Sequence, residues 1–349
     1  MIVADKFRVG ITRDSMRDDG STVFDPVALD IFKSDPLIDW EFAPEKVTEV
    51  PAAYAAKYDA LCVLGPRVTA ATLASADRRL RMVARHGVGY DSVDVAACTS
   101  TGVLLTITPD GVRRPVATMI LTFILALAQK LMVKDRLTKT GRWDERTDHM
   151  GEGLTGKVVG SIGLGNIGRE MFRVLRPLET VNLAYDPLDP GPGNAEGLGV
   201  RMVDFETVFR ESDFVCINCP LSAQTLHLVG AREFALMKPS AYFINTARGP
   251  IVDEKALYEA LSTNRIKGAA IDVFEQEPTP PDNPILKLDN VITTPHSLCW
   301  TDESFRRIAQ AAFTSVVEVA HGRVPKFVVN REVLQHPDVK DRLKAAGAS

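Results

Sequence analysis

The 349-residue sequence is short of several things that would define its class. Cysteine occurs only five times, at positions 62, 98, 216, 219 and 299, an odd number too thinly spread for a disulfide framework. A chain of this length builds a core without such bridges, and unpaired thiols suit a reducing compartment, so a cytoplasmic protein is expected. Charge of one sign is missing too: 41 Lys and Arg stand against 45 Asp and Glu, leaving a formal charge of −4. Nucleic-acid-binding proteins usually carry a basic excess, so that class is set aside. The longest apolar run, 116–128, is interrupted by Thr118 and Thr122 and is too short to cross a bilayer. It reads as a buried helix or a subunit interface, and no membrane partner is expected. Residues 1–10, charged at Asp5, Lys6 and Arg8, lack the apolar stretch of a signal peptide. Cys216-Ile217-Asn218-Cys219 spells C-x-x-C, but on a strand residues three apart face opposite sides. No second Cys or His pair completes a metal set, so no metal is expected.

What is present is ordinary globular composition, 45% hydrophobic and 25% charged, in a length that suits two domains. Short apolar runs at Phe7–Ile11, 60–64, 81–85 and 103–106 read as strands, with helices between them at 26–34, 51–57 and 70–76. After the long apolar helix the alternation resumes. Strands are expected at Val158–Ile162, Val181–Tyr185, Phe214–Ile217, 242–244, 267–273 and Val291–Thr293, with helices at 167–176, Phe205–Glu211 and Glu254–Ser262. Near-continuous apolar strands alternating with helices imply parallel sheets covered on both faces, an α/β fold of two doubly wound domains. A last helix over 302–321 follows the second block's final strand. If it crosses back, the first domain is discontinuous, 1–113 with 301–349, around a second domain of 114–300. Pro115 suits the first position of the helix that joins them. The Gly- and Pro-rich stretch 187–199 reads as a surface loop, and Arg78, Arg79 and Arg81 as a solvated helix end.

The strongest local signal follows the strand at Val158–Ile162, where Gly163-Leu164-Gly165-Asn166-Ile167-Gly168 opens a helix. Gly163 permits a tight turn, Gly165 a close approach of backbone to a pyrophosphate, and Gly168 close packing of helix on strand. The helix start then offers N–H groups and partial positive charge to phosphates. The next strand ends at Asp186, placed to accept a ribose 2′-hydroxyl and to repel a 2′-phosphate. The second domain is therefore expected to be a Rossmann unit binding NAD rather than NADP.

Three later segments each end a strand with polar residues: Asn245-Thr246-Ala247-Arg248-Gly249, Asp272-Val273-Phe274-Glu275-Gln276-Glu277-Pro278 and Thr294-Pro295-His296. In an open parallel sheet, strand ends of this kind meet ligands. Arg248 could grip a carboxylate with its planar fork. His296 could exchange a proton near neutral pH, and Glu277 could fix its tautomer. Plainer roles fit the spacing as well: a surface ion pair for Arg248, a solvated loop acid for Glu277, a structural histidine for His296.

These segments, with Gly87-Val88-Gly89-Tyr90-Asp91-Ser92-Val93-Asp94 and Pro220-Leu221-Ser222, resemble the D-isomer-specific 2-hydroxyacid dehydrogenase family in order and spacing over most of the chain. The resemblance implies a reductase interconverting a small 2-keto acid, such as glyoxylate or hydroxypyruvate, and its D-2-hydroxy acid, with a flavodoxin-like discontinuous substrate domain, a closing cleft and a homodimer. It implies catalytic roles for Arg248, Glu277 and His296. Cofactor contacts would come from Asn166 and Ile167 in the pyrophosphate turn and from Cys219, Pro220, Thr225, Thr246, Ala247 and Asp272. Substrate contacts would come from Val88, Gly89, Arg248 and Trp300. Trp300 is assigned to the pocket wall in preference to packing under the last helix. The chain departs from the family at Asn218, where a His is usual, at Thr118, where a Glu is common, at the loop Leu64-Gly65-Pro66-Arg67, and at Ser297-Leu298-Cys299-Trp300 after His296. A formate-oxidising relative and a non-catalytic NAD(H)-sensing binding protein are the alternatives.

Overall fold

The computed structural model describes residues 6–75, 77–188 and 195–347. The chain divides into two compact units, Met1–Val112 with Trp300–Ser349, and Arg113–Cys299. The divisions fall one residue before the expected boundaries, so Trp300 belongs with the first unit.

The first unit is built on five short strands: β1 Phe7–Ile11, β2 Ile38–Phe42, β3 Ala60–Val63, β4 Met82–Arg85 and β5 Leu104–Thr106. All run parallel in the order β2-β1-β3-β4-β5, the flavodoxin-like order. Strand β3 is buried throughout, and its alternation divides the core. Ala60 and Cys62 pack in one apolar cluster with Phe32 and Phe313, while Leu61 and Val63 pack in another with Tyr58 and Leu73. The helix Asp302–Ala320 closes the first cluster with Phe305, Ala309, Ala312, Phe313 and Val316, a helical stripe. Its start is capped by Thr301, whose side chain accepts from Ser304 N–H at 3.1 Å. The chain beyond it also joins this unit: Val329 N–H donates to Leu105 C=O at 2.8 Å, and Leu105 N–H to Asn330 Oδ1 at 2.9 Å.

The second unit carries seven parallel strands: β6 Val158–Ile162, β7 Val181–Tyr185, β8 Val200–Met202, β9 Phe214–Ile217, β10 Tyr242–Asn245, β11 Gly268–Ile271 and β12 Val291–Thr293. Their order, β12-β11-β10-β9-β6-β7-β8, is doubly wound about β6 and β9. A crevice for ligands is expected where the order reverses, at the carboxyl ends of those two strands.

Several sequence expectations change. The joining helix runs Pro109–Ala128, so Pro115 lies inside it and Pro109 begins it. Pro115 has no N–H to give to Gly111, whose Cα is instead packed against the Ile308 backbone. At 20 residues this helix is long enough for a bilayer span, so shortness excludes nothing; its most apolar window is 67% buried in the fold. The helix expected at 26–34 divides into a 3₁₀ turn, Pro26–Leu29, and a helix, Asp30–Lys33. The helix expected at 70–76 ends at Leu73, and residue 76 lies outside the described residues. Of the loop expected at 187–199, residues 189–194 lie outside them too. The arginine cluster is no solvated helix end: Arg79 Nη2 and Arg81 Nε lie 2.9 and 3.1 Å from the carboxylate of Asp59, which is 1% exposed.

Candidate active site

The glycine turn takes its shape from strand β6. Gly163 adopts φ +100°, and a Cβ there would press on the Asn218–Cys219 peptide at 2.8 Å. A Cβ on Gly168 would meet Gly163 C=O at 2.6 Å. Both glycines are demanded by the protein's own packing. Gly165 differs, because nothing stands within 4 Å of a Cβ built there. What it keeps open is space, as a phosphate cradle requires. The helix Asn166–Leu175 starts beside it with no side chain capping its first N–H groups. Asp186, at the end of β7, accepts from Leu164 N–H at 2.7 Å and Leu188 N–H at 2.9 Å, so its carboxylate is fixed beside the turn. This donor and acceptor set fits a dinucleotide's pyrophosphate and ribose.

The neighbouring loop after β9 is tied to the same turn. Asn218 N–H donates to Ile162 C=O at 2.8 Å and its side-chain Nδ2 to Ser161 Oγ at 2.9 Å, while Asn218 Oδ1 is buried without a partner. Burial lifts the Cys219 thiol to about 11, helped by Asp186. Cys216 is buried in β9 and both thiols are unbridged. Pro220 is exposed, and Thr225 closes its loop by donating to Pro220 C=O at 2.7 Å.

Three strand ends build the rest. After β10, Ala247 N–H donates to Asn245 Oδ1 at 3.0 Å, Asn245 Nδ2 to Arg248 C=O at 2.9 Å, and Arg248 Nη1 to Ala247 C=O at 2.7 Å. Thr246, Ala247 and Arg248 are all half-buried. Gly249 follows, buried so closely on the Phe274 carbonyl that any Cβ would collide with it. That contact pins the Arg248 turn to the loop after β11.

In this second loop Glu277 accepts Phe274 N–H on Oε1 at 3.0 Å and bonds His296 Nδ1 through Oε2 at 2.7 Å. Burial pushes the Glu277 carboxyl up, but the hydrogen bonds from His296 and Phe274 and the charges of His296 and Arg248 outweigh it, holding it below its ordinary range. His296 sits after β12 with φ +53°, a left-handed conformation that a non-glycine residue adopts only when its surroundings hold it. Asp272 supplies that hold. Its backbone C=O accepts His296 N–H at 2.7 Å, and its Oδ1 accepts Ser297 and Leu298 N–H at 3.1 and 3.2 Å and the Thr294 hydroxyl. The imidazole, 42% exposed, meets Glu277 through Nδ1 and so keeps Nε2 for a reactant. The pair lines a pocket with Phe274, Leu286 and Thr294.

The structure thus brings Glu277 and His296 into contact and puts Arg248 within electrostatic range of Glu277. Bracing by Gly249 and by the Asp272 side chain escaped the sequence reading, although the glycine at a strand end was a usable signal. Gly249→Ala is expected to cost at least about 1–3 kcal/mol, as overpacked cores do, and to depress turnover with it. Urea denaturation would check this, and an unchanged midpoint would show that the two loops part freely. Val88, Gly89 and Trp300 lie in the first unit. Val88 and Gly89 follow Gly87, whose N–H donates to Thr108 Oγ1 at 2.8 Å. Trp300 is 56% exposed and packs edge-on against Phe305 with ring centroids 5.2 Å apart.

Residues 121–297 match the family model described as D-isomer specific 2-hydroxyacid dehydrogenase, NAD binding domain. A D-3-phosphoglycerate dehydrogenase of Archaeoglobus fulgidus is 38% identical over 84% of this chain, which spans only 54% of that protein's length. A glyoxylate reductase of Korarchaeum cryptofilum is 34% identical over 95% of this chain and 98% of its own. Among solved structures, a D-lactate dehydrogenase of Aquifex aeolicus, complexed with NAD and lactic acid, superposes with a TM-score of 0.80 at 26% identity, covering 92% of this chain and 99% of its own.

Proposed function

The chain belongs to the D-isomer specific 2-hydroxyacid dehydrogenase family, and on that premise we propose that it reduces a small 2-keto acid, of the glyoxylate or hydroxypyruvate kind, to the D-2-hydroxy acid with NADH. One observation carries the reading: the 2.7 Å bond between Glu277 Oε2 and His296 Nδ1, on an imidazole still open to solvent.

When bound, the cofactor supplies hydride to the carbonyl carbon. His296 Nε2 gives its proton to the carbonyl oxygen as the hydroxyl forms. Glu277, ionised through the neutral range, stabilises the imidazolium before transfer and fixes its tautomer after it. Arg248 holds the substrate carboxylate in its fork and offsets charge that develops on the carbonyl oxygen. Gly165, Asn166 and Ile167 would hold the pyrophosphate, with Gly168 letting the helix pack close behind them. Asp186 would accept from the adenosine ribose and disfavour a 2′-phosphate, which favours NADH over NADPH.

Following absorbance at 340 nm against a panel of 2-keto acids, with NADH and with NADPH, tests this. The expected outcome is NADH oxidation fastest with two- and three-carbon keto acids. Formate-dependent NAD reduction, or tight NADH binding without turnover on any acid, would overturn it in favour of the formate-oxidising or sensing alternative.

A further inference from the structure

A second concavity lies in the first unit, at the amino-terminal edge of its sheet. Arg81 just before β4, Leu104 at the start of β5, Val319 to Arg323 at the end of the helix Asp302–Ala320, and Val339, Arg342 and Leu343 of the helix Pro337–Gly347 line it. The 87–89 loop follows the opposite end of β4, so this pocket is remote from the unit's substrate loop.

Its charge is unbalanced. Arg81, Arg323 and Arg342 all border it, with His321. Asp59 is already engaged by Arg79, Arg81 and the N–H of Arg8, at 2.9, 3.1 and 3.0 Å. Asp35 is engaged by His321 Nε2 at 2.7 Å and by Leu37 N–H at 3.0 Å. Asp338, the remaining acid whose charge acts on Arg342, is exposed. The helix end consumes its own carbonyls rather than offering them to the arginines. Gly322 at φ +66° turns the chain, and Gly322 and Arg323 N–H return to Val319 and Glu318 C=O at 3.0 and 2.8 Å. Arg342 shows the imbalance most directly: its Nη1 is buried with no hydrogen-bond partner. Burial, with Arg81 and Arg78 nearby, pulls the Arg342 pKa down, against the opposing pull of Asp338 and Asp59. A buried guanidinium nitrogen left unbonded is costly, and an incoming anion removes that cost.

We propose that this pocket binds a small organic anion, whose carboxylate or phosphate oxygens meet Arg81, Arg323 and Arg342 and whose short apolar body lies on Leu104, Val319 and Leu343. The site is separate from the reaction chemistry and stands whether or not the proposed substrate is right.

Thermal melting in orthophosphate and in butyrate, with ionic strength held by chloride, tests the proposal on the full chain. The melting temperature of the unsubstituted protein should rise saturably with one probe or both, and the probe that acts at lower concentration identifies the head group. Arg342→Met should melt higher than the parent without anion, because its buried unbonded nitrogen is gone, and should lose the anion response. Arg323→Gln should keep the fold and weaken apparent affinity by roughly 10–100-fold, the value of one charged hydrogen bond. NADH-linked turnover should be unchanged in both variants. No saturable rise with either probe, or an equal rise in the parent and both variants, would overturn the assignment.

Discussion

Replacing His296 by alanine is expected to lower keto-acid reduction by roughly 10²–10⁴-fold, the usual worth of a positioned general acid, while NADH affinity stays near the parent value. The division follows from the architecture. The groups suited to the dinucleotide's pyrophosphate and ribose stand after β6 and β7, whereas His296 stands after β12, held by Asp272 and Glu277. Removing the ring leaves that backbone loop tied to Asp272. Glu277 stays ionised near neutral pH in the parent, since, despite burial, the hydrogen bonds from His296 and Phe274 hold its carboxyl below its ordinary range. Reduction by the parent should therefore fall only in acid, where that carboxyl takes up its proton and no longer supports the imidazolium. Stopped-flow NADH oxidation would measure the loss, and near-parent turnover in His296→Ala would assign the proton to another group.

The strand ends were legible for a simple reason. Each of β10, β11 and β12 is a short apolar run that stops at a polar residue, and parallel topology sends those residues to one edge. The turn after β6 was legible because glycine spacing is itself a backbone constraint. Strand β2 was missed although Ile38, Trp40 and Phe42 alternate with Asp39 and Glu41. That period marks a half-exposed strand, and β2 is the edge of an otherwise buried parallel sheet. Pro115 misled because proline at a helix start is a strong rule, yet Pro109 already fills that position. The Arg79, Arg81 and Asp59 group could not be read at all, because its members come from before β3 and β4 and only strand pairing brings them together. The same holds for Asp272, whose carboxylate reaches 25 and 26 residues along the chain to shape the His296 loop.

Arg248→Lys separates charge from shape. A lysine keeps one positive charge but loses the planar pair of donors, and its ammonium is more strongly hydrated. We expect kcat/KM for the keto acid to fall on the order of 10²–10³-fold, the usual loss when one oxyanion donor is removed, with NADH affinity retained. Both parameters should move. KM rises because the carboxylate is gripped at one point, and kcat falls because the carbonyl is no longer held at the angle that His296 Nε2 requires. The backbone that aims residue 248 is held by more than the Arg248 side chain's own bond to Ala247 C=O. Asn245 Nδ2 holds the Arg248 carbonyl and Gly249 lies against the Phe274 carbonyl, so the turn survives the exchange. Arg248→Met goes further, because it also removes one of the charges that hold the Glu277 carboxyl down. Its pKa then rises, so the loss of reduction in acid should begin at a higher pH in Arg248→Met but not in Arg248→Lys, while the hydrogen bonds from His296 and Phe274 keep the carboxyl ionised at neutral pH. A keto-acid KM equal to the parent's in both variants would remove Arg248 from carboxylate binding and return it to the role of a surface ion-pair residue.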